Sequence, residues 1–224
     1  MPTKIVMTEG VAMLVEETIT DIVPLEDFRR AISMNAISTP VLPFGCVHYL
    51  EKKTKQVFTV VRRAEIREIN QANAIFKVAM PHRVYRLEFR AGNLSCVHQN
   101  LILNMPSTLD EPVFEAPLPN RVKGGDICRT GVMIAGNDEL PAFRVDHVIN
   151  QIERTRHNTD HVSFAKECMP RQFSAGSEGM YTKMLQRWAA WTEEHKDDWE
   201  AHIRDIQWVP NGTLGHIAGG GLDD

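Results

Sequence analysis

From Met1 to Val23, apolar and polar positions alternate in short runs: Ile5 and Met7, then Val11, Met13 and Val15. A period of two predicts extended segments, with Glu9-Gly10 as the turn between them. Pro24 opens a predicted helix. Glu26 and Asp27 fall in its first turn, where the helix dipole favours acids, and Leu25, Phe28, Ala31 and Ile32 share one face. Pro40 and Pro43 stop it. From Val41 to Leu103 the pattern predicts a strand meander: Phe44–Leu50, Val57–Val61, Ile75–Ala79, Val84–Phe89 and Leu94–Leu103. Ala91-Gly92-Asn93 is a hairpin turn within it, and links this short imply antiparallel pairing. Residues 104–125 carry Pro106, Pro112, Pro117, Pro119, Gly124 and Gly125, so little regular structure is expected. Val113, Phe114, Leu118 and Val122 are nonetheless enough to hold the segment against a core. Helical spacing returns at Phe143, Val145, Val148, Ile149 and Ile152, up to Arg156, before the polar run His157–His161. A second helical stretch, Glu178–Val209, has Met180, Met184, Leu185, Trp188 and Trp191 on one face, with a break near His195–Asp198.

The order of elements gives an α+β protein: an antiparallel sheet meander flanked by helices over 1–170, a helical extension over 171–209 and a Gly-rich flexible tail over 210–224. Composition narrows the function. The 224 residues are 43% hydrophobic and 24% charged, ordinary for a globular protein. A net charge of -4, from 25 Lys+Arg and 29 Asp+Glu, argues against a broad nucleic-acid-binding surface. No apolar run reaches the roughly 18 residues of a membrane span, and the N-terminus does not read as a secretory signal, so a cytoplasmic setting with reduced thiols is the expectation. The four cysteines, Cys46, Cys96, Cys128 and Cys168, make no C-x-x-C pair.

Candidate chemistry concentrates in Leu118-Pro119-Asn120-Arg121-Val122-Lys123-Gly124-Gly125-Asp126-Ile127-Cys128. This run resembles the active-site signature of the ubiquitin-conjugating enzymes: His-Pro-Asn, a short loop, Gly, one residue, Ile or Val, then the catalytic Cys. Pro119, Asn120, Gly125, Ile127 and Cys128 match in identity and spacing. The chain is more narrowly similar to the divergent prokaryotic ubiquitin-conjugating-like proteins of bacterial and phage gene clusters, over roughly residues 24–165. Leu118 stands where the signature has His, Arg129 where Leu usually follows the Cys, and Gly136 where a Trp is often found.

The resemblance implies a ubiquitin-conjugating fold and transfer of a ubiquitin-like protein. Cys128 would carry the modifier as a thioester and pass it to an acceptor amine. Asn120 would stabilise the oxyanion, and Asp160 or His161, in the loop after the first long helix, would orient or deprotonate the amine. Pro119, Gly124, Gly125 and Arg129 would form the substrate side. The glycines let an acyl chain approach the backbone, and Arg129 would favour the thiolate. The implied partners are an activating enzyme, which would use the ATP, the modifier and a protein acceptor. No cofactor, nucleic acid or membrane is implied.

The sequence also admits other readings. A non-catalytic relative would serve as a binding or assembly module, and an unrelated cysteine hydrolase or transferase would need a His base near Cys128. Cys46-Val47-His48 and Cys96-Val97-His98 would form a Cys₂His₂ zinc set if their strands were neighbours, though no metal is expected. The Met/Trp helix face reads as core, or as a docking surface.

Overall fold

The computed structural model describes residues 4–8, 11–15, 19–24, 42–52, 54–71, 73–118, 121, 127, 141–154, 162–174 and 180–219. The chain divides into two units, Met1–Pro40 and Val41–Asp224. In the first, β1 (Lys4–Thr8), β2 (Val11–Val15) and β3 (Ile19–Pro24) pair antiparallel in that order. Thr8 lies opposite Val11, and the Glu9-Gly10 turn expected between these strands lies outside the described residues. The helix predicted after Pro24 falls outside the described residues.

The second unit is built on a six-stranded antiparallel sheet. Its strands are β4 (Cys46–Lys52), β5 (Lys55–Arg62), β8 (His82–Arg90), β9 (Asn93–Ile102), β10 (Pro112–Glu115) and β11 (Pro210–Thr213), in the order β11-β10-β9-β8-β5-β4. Between β5 and β8 the chain leaves to form a separate hairpin, β6 (Glu65–Gln71) and β7 (Ala74–Met80). The meander is therefore interrupted: β6 was not expected from the sequence, and Ile75–Ala79 belongs to the hairpin and not to the main sheet.

Alternation along the strands sorts side chains onto two faces. Phe58, Val60, Tyr85, Leu87, Phe89 and Val97 meet α1 (Pro141–Arg154), which buries Val145, Val148, Ile149 and Ile152. Phe143, expected on that apolar face, is 63% exposed. On the opposite face Val61, Val84, Ile102 and Val113 pack with Leu214 and Ile217 of α5 (Leu214–Gly219). The segment expected as a flexible tail thus supplies an edge strand and a helix to the core, because its apolar residues find a partner that lies far away in sequence.

The third cluster joins the hairpin to α2 (Val162–Glu167) and α3 (Tyr181–Glu194), around fully buried Trp188. The edge of β7 is closed by α3: Trp188 Nε1 donates to the Ala79 carbonyl at 3.1 Å, and the Ala79 N–H donates to Thr192 Oγ1 at 2.8 Å. Those two residues lie one helical turn apart, so they satisfy both backbone groups of one edge residue. The helical stretch breaks at His195–Asp198, as its charged run predicted, and resumes as α4 (Trp199–His202). Trp188 stacks on Phe173 at 5.7 Å and meets Trp208 edge-on, also at 5.7 Å, so this face is core except at Met180, which precedes α3 and is 61% exposed. Ala165 and Met169 share the cluster with Trp188, so residues on both sides of the expected 170/171 boundary pack together.

Candidate functional site

The residues singled out for chemistry, Cys128, Asn120, Asp160, His161, Pro119, Gly124, Gly125 and Arg129, lie outside the described residues. The positions that frame them are described. Upstream, the chain leaves β10 through Ala116, Pro117 and Leu118, all buried. The Tyr181 hydroxyl donates to the Pro117 carbonyl at 2.6 Å, which ties the approach to α3.

Arg121 follows Asn120, and none of its surface is exposed. Its Nη1 donates to the Ala116 carbonyl at 2.9 Å and its Nη2 to Glu115 Oε2 at 2.8 Å. Nη2 also approaches Asn100 Oδ1 at 3.5 Å, an oxygen that accepts from Asn211 Nδ2 of β11 at 2.7 Å. The Phe164 ring lies 6.0 Å from the guanidinium. Burying a charge this completely is tolerable only with a paired, hydrogen-bonded partner, and Glu115 supplies it.

Ile127 precedes Cys128. Its side chain is buried with Val97 and Ile149 on the α1 face, and its N–H donates to the Val97 carbonyl at 2.9 Å. It sits beside β9 below the point where β10 has left, since β10 pairs with β9 only at Leu101 and Asn100. Arg121 and Ile127 form an antiparallel bridge with each other. Arg121 and Ile127 are therefore held together, the first by a buried ion pair and the second by apolar burial plus a backbone hydrogen bond. Sequence reasoning missed Arg121; the signal available was an acid, Glu115, a few residues upstream in an otherwise apolar stretch.

The other cysteines have distinct surroundings. Burial first, then the Glu115 charge, pushes the Cys168 thiol up to about 12, so it stays protonated at neutral pH. Cys46 is also raised by burial, and its Sγ donates to the His48 carbonyl at 3.3 Å. The Cys/His pairs do not assemble a zinc set. β4 and β9 are separated by β5 and β8, so the pairs stand about 14 Å apart at the ordinary spacing between strands. A bulge also falls between Cys46 and His48: Cys46 lies opposite Val60 and packs on the α1 face, whereas His48 lies opposite Thr59. Burial, then the Arg86 charge, lowers the His48 pKa. Among the described residues, no cluster of three His, Cys, Asp or Glu side chains suits a metal ion. No described helix is long and apolar enough to cross a membrane.

Asp160 and His161 belong to the link between Arg154, where α1 ends, and Val162, where α2 begins. Comparison with models of known families, with curated proteins and with solved structures finds no match.

Proposed function

We propose that this chain transfers a ubiquitin-like protein through a thioester on Cys128. The observation that carries the reading is the bridge between Arg121 and Ile127. Asn120 is one residue from one member and Cys128 one residue from the other. Chain connectivity alone then keeps their Cα atoms within about 13 Å: roughly 5.5 Å across the bridge plus two Cα steps of about 3.8 Å. A donor amide and a nucleophile tethered that closely suit a reaction in which a thiolate attacks an acyl carbon and the oxyanion needs a fixed donor. The α+β architecture, with five of the six strands of the antiparallel sheet preceding the motif and helices following it, supports the same reading, as does the matched Pro119-Asn120…Gly125…Ile127-Cys128 spacing.

In the forward step the Cys128 thiolate would displace the leaving group of the activated modifier, forming the C–S bond. In the second step the acceptor amine would attack that carbonyl, expel the thiolate and lose its proton to a nearby base, with Asp160 or His161 in that role. Asn120 would donate to the carbonyl oxygen in both steps. The implied partners are an activating enzyme, the modifier and a protein acceptor. The test is incubation of the protein with its cognate activating enzyme, the modifier and ATP. An adduct released by thiol reductant and lost in Cys128→Ala is the expected result; absence of any adduct with the native chain overturns the reading.

A further inference from the structure

The α1 face of the main sheet carries a second polar group, away from the Arg121 frame. Gln99 Nε2 donates to the Tyr85 hydroxyl at 3.0 Å, and that hydroxyl donates to Glu153 Oε1 at 2.9 Å. Arg83 Nε donates to the same carboxylate oxygen at 3.0 Å. The directions follow from chemistry. Burial alone would raise the Glu153 pKa, but Arg83 and Arg67 hold it below the usual range, so the group is a carboxylate and accepts only. Burial and the Glu153 charge raise the Tyr85 pKa, so its single proton stays and points at Glu153. The Tyr85 oxygen must then accept from Gln99, which fixes the amide with Nε2 toward Tyr85 and Oε1 away from it.

This leaves a chain with two open ends. Among the described residues, Arg83 Nη1 and Gln99 Oε1 have no hydrogen-bond partner. Both residues are only 2% exposed. One end is a donor and the other an acceptor, and both side chains line a crevice of about 20 Å³ shared with Ile69, Met80 and Leu118. Tyr85 and Gln99 are directly paired across β8 and β9, and Arg83 lies two residues before Tyr85 on the same face. Arg83 and Gln99 are thus diagonal neighbours, roughly 7–8 Å apart at the backbone, a separation that long side chains span.

We propose that the crevice binds one ordered water, which accepts from Arg83 Nη1 and donates to Gln99 Oε1 and so closes the hydrogen-bonded ring. Size selects it: one water needs about 10–15 Å³ of such space and two polar partners, and both conditions are met. Charge selects it as well. Arg67 and Arg83 are matched by Glu153, at 2.7 and 3.0 Å, and by Glu65, 2.8 Å from Arg83, and Glu68, which also lines the crevice, by Lys77 at 3.9 Å, so an ion of either sign would stand uncompensated. An apolar occupant would leave both open ends unsatisfied. The closed ring ties the sheet to α1, and the β6–β7 hairpin joins it through ion pairs. Arg67 brings in the β6–β7 hairpin through Glu153, Arg83 and Gln99 belong to the sheet, and Glu153 sits in the last turn of α1, where Arg67 Nη2 also donates to its backbone carbonyl at 2.9 Å. The proposal is independent of the reading of Cys128.

The test is water-selective NOE and ROE spectroscopy on the full chain, with the Gln and Arg side-chain nitrogens labelled. Cross-peaks from one long-lived water to the Arg83 guanidinium are expected in the native protein, and their loss is expected in Gln99→Met, which removes the acceptor; cross-peaks that persist in Gln99→Met overturn the proposal. Should Gln99→Met fail to fold, a high-resolution crystal structure of the native chain decides instead. A water within about 2.7–3.2 Å of both Arg83 Nη1 and Gln99 Oε1 supports the proposal. A direct Arg83–Gln99 contact, or a crevice with no density, overturns it.

Discussion

Arg121 has no exposed surface, so every hydrogen bond its guanidinium makes must come from within the protein. Its bond to the Ala116 carbonyl and its ion pair with Glu115 tie the motif segment to β10, and through Asn100 and Asn211 the same network reaches β11. Removing one partner of such a pair strands the other in a low-dielectric interior, which costs more than the pair itself contributes. Arg121→Met is therefore expected to lower the unfolding free energy by about 3–5 kcal/mol, read from urea denaturation. Arg121→Met combined with Glu115→Gln should recover part of that loss, because no carboxylate is then left unpaired. Equal losses in the single and double variants would show that the ion pair is not what holds the segment. Lys is a poor replacement here, since one ammonium on a flexible stem cannot present the two-pronged fork that reaches Glu115 and Ala116 at once.

At the scale of elements, the turn between β8 and β9 shows how local chemistry sets register. Arg90 lies opposite Asn93, which leaves Ala91 and Gly92 as a two-residue loop with φ of 46° and 81°. Positive φ at both positions is the type I′ geometry that matches strand twist, and it favours Asn-Gly. Gly92 meets that demand freely, whereas an alanine in the left-handed region is strained. Ala91→Asn should raise stability by about 0.5–1 kcal/mol, measured as an increased Tm with unchanged strand content. A lower Tm would mean that the Ala91 N–H bond to the Thr54 carbonyl, at 2.7 Å, depends on the present backbone in a way Asn disturbs. This hairpin was legible in the sequence because the turn residues and the flanking alternation agree. The strand β6 was not. Its apolar residues Ile66 and Ile69 are three apart, a helical spacing, and in the strand they lie on opposite faces, Ile66 at 41% exposure and Ile69 at 2%. Pairing with β7, and the hold that Glu153 of α1 keeps on Arg67, decide the conformation there, and neither can be read from a local window. The same limit applies to the repeated Cys-Val-His tripeptides: each is local, but whether they meet depends on strand order. At the candidate site, the Pro-Asn…Gly…Cys spacing was visible in the sequence. The frame was not, because Arg121 reads as a surface residue until its partners on β9 and β10 are known.

At the scale of the second unit, the chain returns to its own sheet at the C-terminal end. β11 pairs with β10 as an edge strand, and the Leu214 and Gly215 N–H groups donate to the Glu111 and Leu109 carbonyls at 2.9 and 2.6 Å. Leu214 is 1% exposed and Ile217 8%, and they cover Val61, Val84, Ile102 and Val113, residues contributed from much earlier in the chain. Contacts this distant in sequence form only after the intervening loops close, so they are expected late in folding and should govern unfolding more than folding. A Gly-rich tail would make Leu214 irrelevant to stability, with a substitution falling within about 0.5 kcal/mol of the native value. A buried Leu at the centre of a cluster predicts instead that Leu214→Ala costs about 2–5 kcal/mol, through lost transfer energy and the cavity left behind. In a urea chevron most of that change should appear as faster unfolding, with the folding limb nearly unmoved. Asn211 shares the Asn100 oxygen with Arg121, so the same variant should loosen the motif frame too, detectable as faster amide exchange at Ile127. Native-like exchange at Ile127 in a destabilised Leu214→Ala protein would show that the C-terminal elements and the frame are energetically separate.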